Sequence, residues 1–171
     1  MSEFQKDVQR WLKLPLTMLG RSAIFKMISL PKLLYVLQNT YYLIPQYIFP
    51  KIEGEVRKLI WKQGHPRIAI RSLYRNQYNG GIAMPDVKAY YLAGHLITIN
   101  EWCHAPWDHP TYILERHSMG KRSFSHYLYS GKGTARLLPA AQVVIPAWIQ
   151  ATRNMGWTRK ITYMTPLWMG N

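Results

Sequence analysis

The sequence predicts a mainly α-helical protein, in which a small helical bundle is followed by a short turn with a β-like segment, further helices and an irregular C-terminal third. Three observations predict this fold. Residues 48–60 repeat apolar side chains at helical spacing, and prolines stand where several helices would begin or end. An Asn-Gly-Gly sequence at residues 79–81 marks a sharp turn.

Three short helices are predicted ahead of residue 40. The first covers residues 2–12 and opens on a weak capping box of Ser and Gln three residues apart. The second covers about residues 17–30, and Pro31 then fits the first turn of a third helix that extends to about residue 38. We expect one side of the second helix to carry four apolar residues, Ala23, Ile24, Met27 and Ile28.

The helix at residues 48–60 has the most regular pattern in the chain. Its apolar residues recur at intervals that place them on one face, and this face should build the core of the bundle: Ile48, Phe49, Ile52, Val56, Leu59 and Ile60. The opposite face is expected to be solvated and carries Lys51, Glu55, Lys58 and Lys62. Trp61 then closes the helix.

The segment after this helix changes character. The stretch "RIAIRSLYRNQYNGGIAMPD" at residues 67–86 holds a short β-like run, then a turn of helix and then the Asn-Gly-Gly turn. Asp86, directly after a proline, has a side chain suited to cap a helix that extends to about Cys103. Further on, Gly, Pro, Ser and aromatic residues are mixed, and only two helices are predicted, near residues 110–118 and 144–153.

The chain therefore has three predicted regions: a helical bundle at 1–64, a turn with a linking helix at 65–105, and a basic, aromatic-rich region at 106–171. Together they contain 22 Lys and Arg against eight Asp and Glu, for a formal net charge of +14. So few carboxylates cannot neutralise these bases, and most cations must face solvent, a membrane or a polyanion. Nucleic acid is the commonest polyanionic partner of such a protein.

Neither a cofactor nor a metal site is predicted. The single cysteine, Cys103, excludes an internal disulfide and fits a reducing compartment. The nearby His104, His109 and His117 lack the paired spacing of a structural zinc site. The N-terminus has no signal-peptide core, and no apolar run approaches the roughly 18 residues that span a bilayer. We expect an intracellular protein without a transmembrane segment.

Three stretches, taken in order, resemble one known family. They are "GRSAIFKMISLPKLLYVLQN" at 20–39, "IPQYIFPKIEGEVRKLIW" at 44–61 and "PRIAIRSLYRNQYNGGIAMPDVKAYYLAGHL" at 66–96. This order is similar to the segment that follows the catalytic palm in LINE-type non-LTR retrotransposon reverse transcriptases. The resemblance extends over residues 11–102, and a later stretch, "ITYMTPLW" at 161–168, is similar to a sequence further downstream in those proteins.

The resemblance implies a thumb, which is the helical unit that packs beside the palm and holds the template–primer duplex, followed by a helical linking region called the wrist. The implied partners are an RNA or DNA duplex and the palm of a longer polyprotein, in the nucleus or the cytoplasm. Polymerases of this family hold two divalent metals with paired aspartates. The aspartates here, Asp7, Asp86 and Asp108, are not adjacent. We therefore expect no catalytic residues and no DNA synthesis by this chain.

Six basic residues are the candidate contacts to nucleic acid. A helix laid along a duplex needs long cations on its exposed side, and three residues of the second and third helices would contact phosphates in this way: Arg21, Lys26 and Lys32. Three arginines recur every four residues beside two tyrosines, a pattern suited to RNA backbone and base stacking: Arg67, Arg71 and Arg75.

Two other classes of function stay open. One is a structural or protein-interaction domain, whose aromatic surface would bind a protein partner. The other is a basic amphipathic protein that adsorbs to anionic membranes. The six cations are also compatible with a merely solvated face, or with arginines that cap carbonyls or pair with the few acids.

Overall fold

The computed structural model describes residues 2–40, 42–62, 64–104, 106, 108–120, 124–130 and 137–156, with the backbone alone for Ser2, Thr111, Tyr112 and Ser125. The predicted mainly α-helical class is confirmed, and no β-strand occurs within these residues. The helices are α1 Ser2–Leu12, α2 Met18–Ile24, α3 Leu30–Asn39, α4 Ile48–Trp61, α5 Ile70–Tyr74, α6 Val87–His104, α7 Pro110–Met119, α8 Phe124–Ser130 and α9 Pro139–Asn154. A π-helical turn, Phe25–Ser29, and a 3-10 turn, Gln77–Asn79, complete the described secondary structure.

The chain forms two compact units. Residues 1–39 and 44–91 make up the first unit, and residues 40–43 and 92–171 make up the second. The division falls within α6, so residues on either side of Tyr91 belong to different units. The three regions proposed from the sequence stay a prediction.

Helix α4 builds the core of the first unit. Its predicted apolar face is confirmed, with Ile48 half-buried and the other members buried: Phe49, Ile52, Val56, Leu59 and Ile60. Helices α1 and α2 both pack against α4. From α1, Phe4 is buried and meets Phe25 edge to face, with ring centroids 6.4 Å apart. This contact is part of the apolar core that α1 and α4 build.

Glu55 departs from the predicted solvated face of α4. Glu55 is buried, with only 7% of the residue exposed to solvent. One carboxylate oxygen, Oε1, accepts a hydrogen bond from the Lys58 ammonium at 2.9 Å and another from the Gln5 amide at 3.3 Å. A cation and an amide thus satisfy the carboxylate, which allows it to be buried where α1 packs against α4.

Helices α2 and α3 form one continuous helical run over residues 18–39, so the predicted break between the second and third helices does not occur. The turn that joins them is π-helical, since the Leu30 N–H donates to the Phe25 carbonyl five residues earlier in the chain. Pro31 lies in the first turn of α3, as predicted.

The buried face of this run is not the apolar side suggested by the sequence. Ala23 and Met27 are exposed, whereas the buried residues of the first half are Arg21, Ser22, Phe25 and Ser29. The two serines are small enough for the Phe25 ring to be fully buried between neighbouring helices. The expectation was wrong because a buried arginine and two serines contribute nothing to a hydrophobic pattern.

The predicted Asn-Gly-Gly turn is confirmed, and it folds the chain back onto the end of α5. Gly80 has a left-handed backbone, with φ of 75°. A Cβ atom on Gly81 would lie 2.0 Å from the carbonyl oxygen of Arg75, so only glycine fits there. The N–H groups that follow then bond to the α5 end, with Met84 donating to the Leu73 carbonyl at 2.9 Å.

No β-strand occurs in residues 67–86, so the predicted β-like run is wrong, whereas the turn of helix predicted after it is confirmed as α5. Residues 67–69 have no regular structure, and Ile70 begins α5. Ile70 and Leu73 are both buried, and their three-residue spacing places them on one helical face. Four residues of "RIAI" cannot distinguish this short helix from a strand, because the burial of Leu73 lies outside that window.

Asp86 caps α6 as predicted. Its Oδ1 accepts from the N–H of Lys88 at 2.9 Å and from that of Ala89 at 3.2 Å. The second turn of α6 contributes Tyr91, which is buried against Phe49 with ring centroids 5.3 Å apart. The cap therefore fixes the start of the helix where it meets the core of the first unit.

The described C-terminal part is more regular than predicted. Helix α7 confirms the prediction near residues 110–118, α9 begins at Pro139 rather than near residue 144, and α8 was not predicted. A seven-residue helix shows too few turns for a periodic pattern, and α8 is instead held by packing against α9. Its buried Tyr127 and Leu128 join a core with Leu137, which precedes α9, and with residues of α6, α7 and α9: Ile99, Trp102, Met119, Ala141, Val144, Ile145 and Trp148. The stretch "ITYMTPLW" lies outside the described residues.

Replacing Val56 by Asp should unfold the first unit or weaken it severely. Val56 is 4% exposed in the middle of the α4 core face, and an unpaired buried charge costs about 3–5 kcal/mol. Val36→Asp is the matched control, since Val36 is a helical valine that is 58% exposed. We expect the control to cost about 1 kcal/mol or less. Urea titrations followed by circular dichroism measure both, and equal midpoints would contradict the assignment of the core.

Candidate nucleic-acid interface

Arg21, the first candidate phosphate contact, is buried and hydrogen-bonded inside the first unit. The residue is 9% exposed. Its guanidinium donates to the Ile60 carbonyl through Nε at 3.2 Å and Nη2 at 2.8 Å, and to the Leu16 carbonyl through Nη1. Ile60 is in the last turn of α4, where carbonyls have no partner within the helix and a cation is favourable. This geometry does not fit a phosphate contact, and we leave Arg21 out of the interface.

Lys26 and Lys32 are also engaged within the first unit, to different degrees. The half-buried Lys26 ammonium donates to the Ile82 carbonyl at 2.9 Å, which fastens the loop after the Gly-Gly turn to the helical run. Lys32 pairs with Asp7 of α1 at 3.2 Å, but 60% of its side chain is exposed. Lys32 is therefore still accessible to phosphate, and its role there stays a prediction.

The other group of candidates lies on a cleft. Arg67 and Arg71 line a cavity of about 420 Å³, together with Arg57 and Trp61 from the end of α4. The apolar part of its wall comes from Pro66, Ile68, Ala69 and Ile70. We call this cavity the arginine cleft. None of the described residues that line it is acidic.

The arginines of the cleft differ in their partners. Arg57 pairs with Glu53 one turn earlier on α4. Arg67 and Arg71 are exposed, and neither has an ion pair or a side-chain hydrogen bond to any described residue. Glu53 offsets part of the Arg57 charge, so Arg67 and Arg71 supply most of the positive potential of this concave, partly apolar surface. The cleft is therefore suited to bind an anion.

Arg75, the last candidate, is exposed but does not line the arginine cleft. Its carbonyl accepts the Ala83 N–H at 2.8 Å, so its backbone belongs to the Gly-Gly turn. Arg57 was not among the six cations named from the sequence, because a single arginine on the solvated side of α4 carries no signal. Arg57 lines the same cavity as Arg67 and Arg71 because the chain reverses its direction after Trp61.

A second cavity, of about 530 Å³, shares Arg57, Ile70 and Arg71 with the arginine cleft but also contains carboxylates. Burial, together with the carboxylates of Glu53 and Asp86, raises the pKa of the Tyr74 phenol in this cavity to about 12, while the Arg57 guanidinium opposes the shift. The mixed charge makes this cavity a poorer anion site than the arginine cleft.

The cysteine and histidines near the end of α6 show no arrangement for metal binding. Burial raises the pKa of the Cys103 thiol, which disfavours the thiolate that would bind a metal. The His104 ring nitrogen Nδ1 lies 2.8 Å from the Asn100 carbonyl, and His109 and His117 are exposed. Throughout the described part of the chain, no three His, Cys, Asp or Glu side chains come together as ligands.

Four large apolar side chains of the helical run at residues 18–39 are each more than half exposed to solvent. They are Leu19 at 62%, Met27 at 77%, Tyr35 at 71% and Val36 at 58% exposure. These side chains lie on α2, the π-helical turn and α3, and we call them the apolar stripe. Exposed apolar residues grouped on one element are a feature of protein-interaction surfaces.

None of the described helices is both long and apolar enough to cross a membrane. No protein-family model matches the sequence.

Replacing Arg21 by Gln should destabilise the first unit by about 2–4 kcal/mol, because the Ile60 and Leu16 carbonyls would lose a charged donor in a buried place. Lys32→Gln removes the same charge from an exposed ion pair and should cost at most about 1 kcal/mol. Thermal and urea unfolding of both variants measure the difference. If Arg21→Gln unfolds like the wild type, the buried guanidinium is not a structural element.

Proposed function

We propose that this chain is a non-catalytic, nucleic-acid-binding segment of a LINE-type reverse transcriptase, equivalent to its thumb and wrist, and that it holds a template–primer duplex. The arginine cleft is the observation that carries the proposal. Arg67 and Arg71 are two of the six cations named from the sequence, and Arg57 completes the cluster. The resemblance to the family supplies the kind of nucleic acid.

The chemistry of the cleft supports backbone recognition. A guanidinium presents several N–H donors in a planar fork that matches two phosphate oxygens. Arg67 and Arg71 have no protein partner among the described residues, so a phosphate would not have to displace one. Contacts of this kind position a duplex without reading its sequence.

The aspartates support the non-catalytic part of the proposal. Asp7 pairs with Lys32, and Asp86 caps α6 with its Oδ1. Both carboxylates therefore have structural partners. Two-metal phosphoryl transfer requires carboxylates that converge on the metals from adjacent positions.

Binding to a duplex should depend strongly on salt, and the cleft should account for much of that dependence. Each neutralised phosphate contributes a slope of roughly −0.9 in log K against log salt. Replacing Arg57, Arg67 and Arg71 together by Gln should therefore flatten the slope by about two to three units if all three contact phosphates. Fluorescence anisotropy of a labelled RNA or DNA hairpin across a salt series measures this slope.

The charge-matched control replaces Lys6, Arg10 and Lys13, which are exposed residues in or just after α1. It removes the same three charges and should change the slope much less. If the cleft variant keeps the wild-type slope and the control shows a flattened slope, the nucleic acid contacts α1 rather than the arginine cleft. No measurable binding by the wild type at low salt would contradict the proposed function itself.

A second candidate function is protein interaction, and the apolar stripe favours it. Leu19, Met27 and Tyr35 are each more than half exposed on one helical run. In the context of the proposed parent protein, the partner would be the palm of the longer polyprotein. This function and nucleic-acid binding are compatible, because the stripe shares no residue with the arginine cleft.

A further inference from the structure

We propose that the arginine cleft holds one unpaired nucleotide next to the duplex, with the base against Trp61 and the adjoining phosphates on Arg57, Arg67 and Arg71. The ligand class is thus a duplex with a single-stranded extension rather than a blunt duplex. This inference rests on the proposed function, since it takes the cleft as the place where nucleic acid binds. The inference adds that an unpaired nucleotide, and not the duplex itself, enters the arginine cleft.

The size of the cleft is the first argument. Its volume of about 420 Å³ falls within the range of about 300–1,000 Å³ that is usual for small-ligand sites. A cavity of this size accepts a group as large as one nucleotide. A base pair in a duplex cannot enter it, because the sugar–phosphate backbones on both sides keep the stacked bases away from a concave protein surface.

The wall of the cleft is the second argument. Trp61 is half-buried, and the chain turns back directly after it. Lys62 is left-handed with φ of 52°, and the Gly64 N–H bonds to the Trp61 carbonyl at 2.9 Å. This reversal places Pro66 and Ile68 on the same cavity as the indole. An aromatic face beside apolar side chains is the usual platform for an unpaired base.

The distribution of charge is the third argument. Glu53 offsets part of the Arg57 charge, but Arg67 and Arg71 have no ionic partner among the described residues, so the cleft carries more positive charge than a neutral ligand would need. A nucleotide within a strand brings a phosphate on each side of its sugar. A ligand with one flat apolar part and two adjacent anionic groups therefore matches the cleft better than a free base or inorganic phosphate.

The test compares three nucleic acids with the same hairpin duplex: blunt, with a short single-stranded extension, and with the same extension made of abasic nucleotides. The abasic extension keeps every phosphate and lacks only the bases. We expect the wild type to bind the base-bearing extension between about 5-fold and about 150-fold more tightly than the abasic one, the range for stacking of one base. Extensions at the 5′ and 3′ ends are tested separately by fluorescence anisotropy.

The variant Trp61→Leu keeps an apolar side chain and removes the stacking surface. It should bind the base-bearing and abasic extensions equally, whereas Trp61→Phe should restore part of the difference. Trp11→Leu is the matched control, because Trp11 is a half-buried tryptophan of α1 that does not line the cleft. We expect this control to discriminate between the extensions as the wild type does.

The outcomes separate the inference from the function on which it rests. If the wild type binds all three nucleic acids equally and with a steep salt slope, the proposed function stands and the nucleotide site is wrong. If the wild type binds none of them, both fail. The comparison of base-bearing and abasic extensions uses the wild-type protein alone, so the inference is tested even if Trp61→Leu does not fold.

Discussion

The first unit depends on the contact between a buried guanidinium and the end of its central helix. Arg21 reaches the Ile60 carbonyl with two donors and the Leu16 carbonyl with a third. Apolar packing can bring α2 and α4 together at many angles, because the hydrophobic effect has no direction. Hydrogen bonds do have direction, so this contact selects the register in which α2 lies against the last turn of α4.

The helical run at residues 18–39 makes two further polar contacts, and each fixes its position against a neighbouring element. Lys26 bonds to the Ile82 carbonyl of the loop after the Gly-Gly turn, and Lys32 pairs with Asp7 of α1. Three cations on one run thus connect it to α4, to the loop and to α1. These contacts explain why so apolar a segment carries three cations. Its outward apolar residues, Met27 and Tyr35 among them, are exposed to solvent.

Sequence patterns were sufficient where one local rule decides the structure. The spacing of Phe49, Ile52 and Val56 predicted the core face of α4, Asp86 predicted the cap of α6, and the Gly-Gly pair predicted the turn. Each of these depends on residues within a few positions of one another. A close backbone approach at Gly81 even explains why the second glycine is needed.

Patterns failed where a distant partner decides the environment of a side chain. Arg21 and Glu55 look like surface residues, yet a carbonyl 39 positions away accepts from one and an amide 50 positions away donates to the other. The arginine cleft is similar: the spacing of Arg67 and Arg71 was visible, but Arg57 and Trp61 join them only because the chain reverses after α4.

Arg21 and Lys26 are held by backbone carbonyls within the first unit, whereas Arg67 and Arg71 on the arginine cleft are exposed. Photo-crosslinking tests this distinction most directly. A hairpin with a single-stranded extension that contains 4-thiouridine would be crosslinked to the protein, and the modified peptides identified by mass spectrometry. We predict crosslinks within residues 57–71 and few within residues 18–36. Crosslinks concentrated on residues 18–36 would contradict the account, because the run that carries Arg21, Lys26 and Lys32 would then face the nucleic acid.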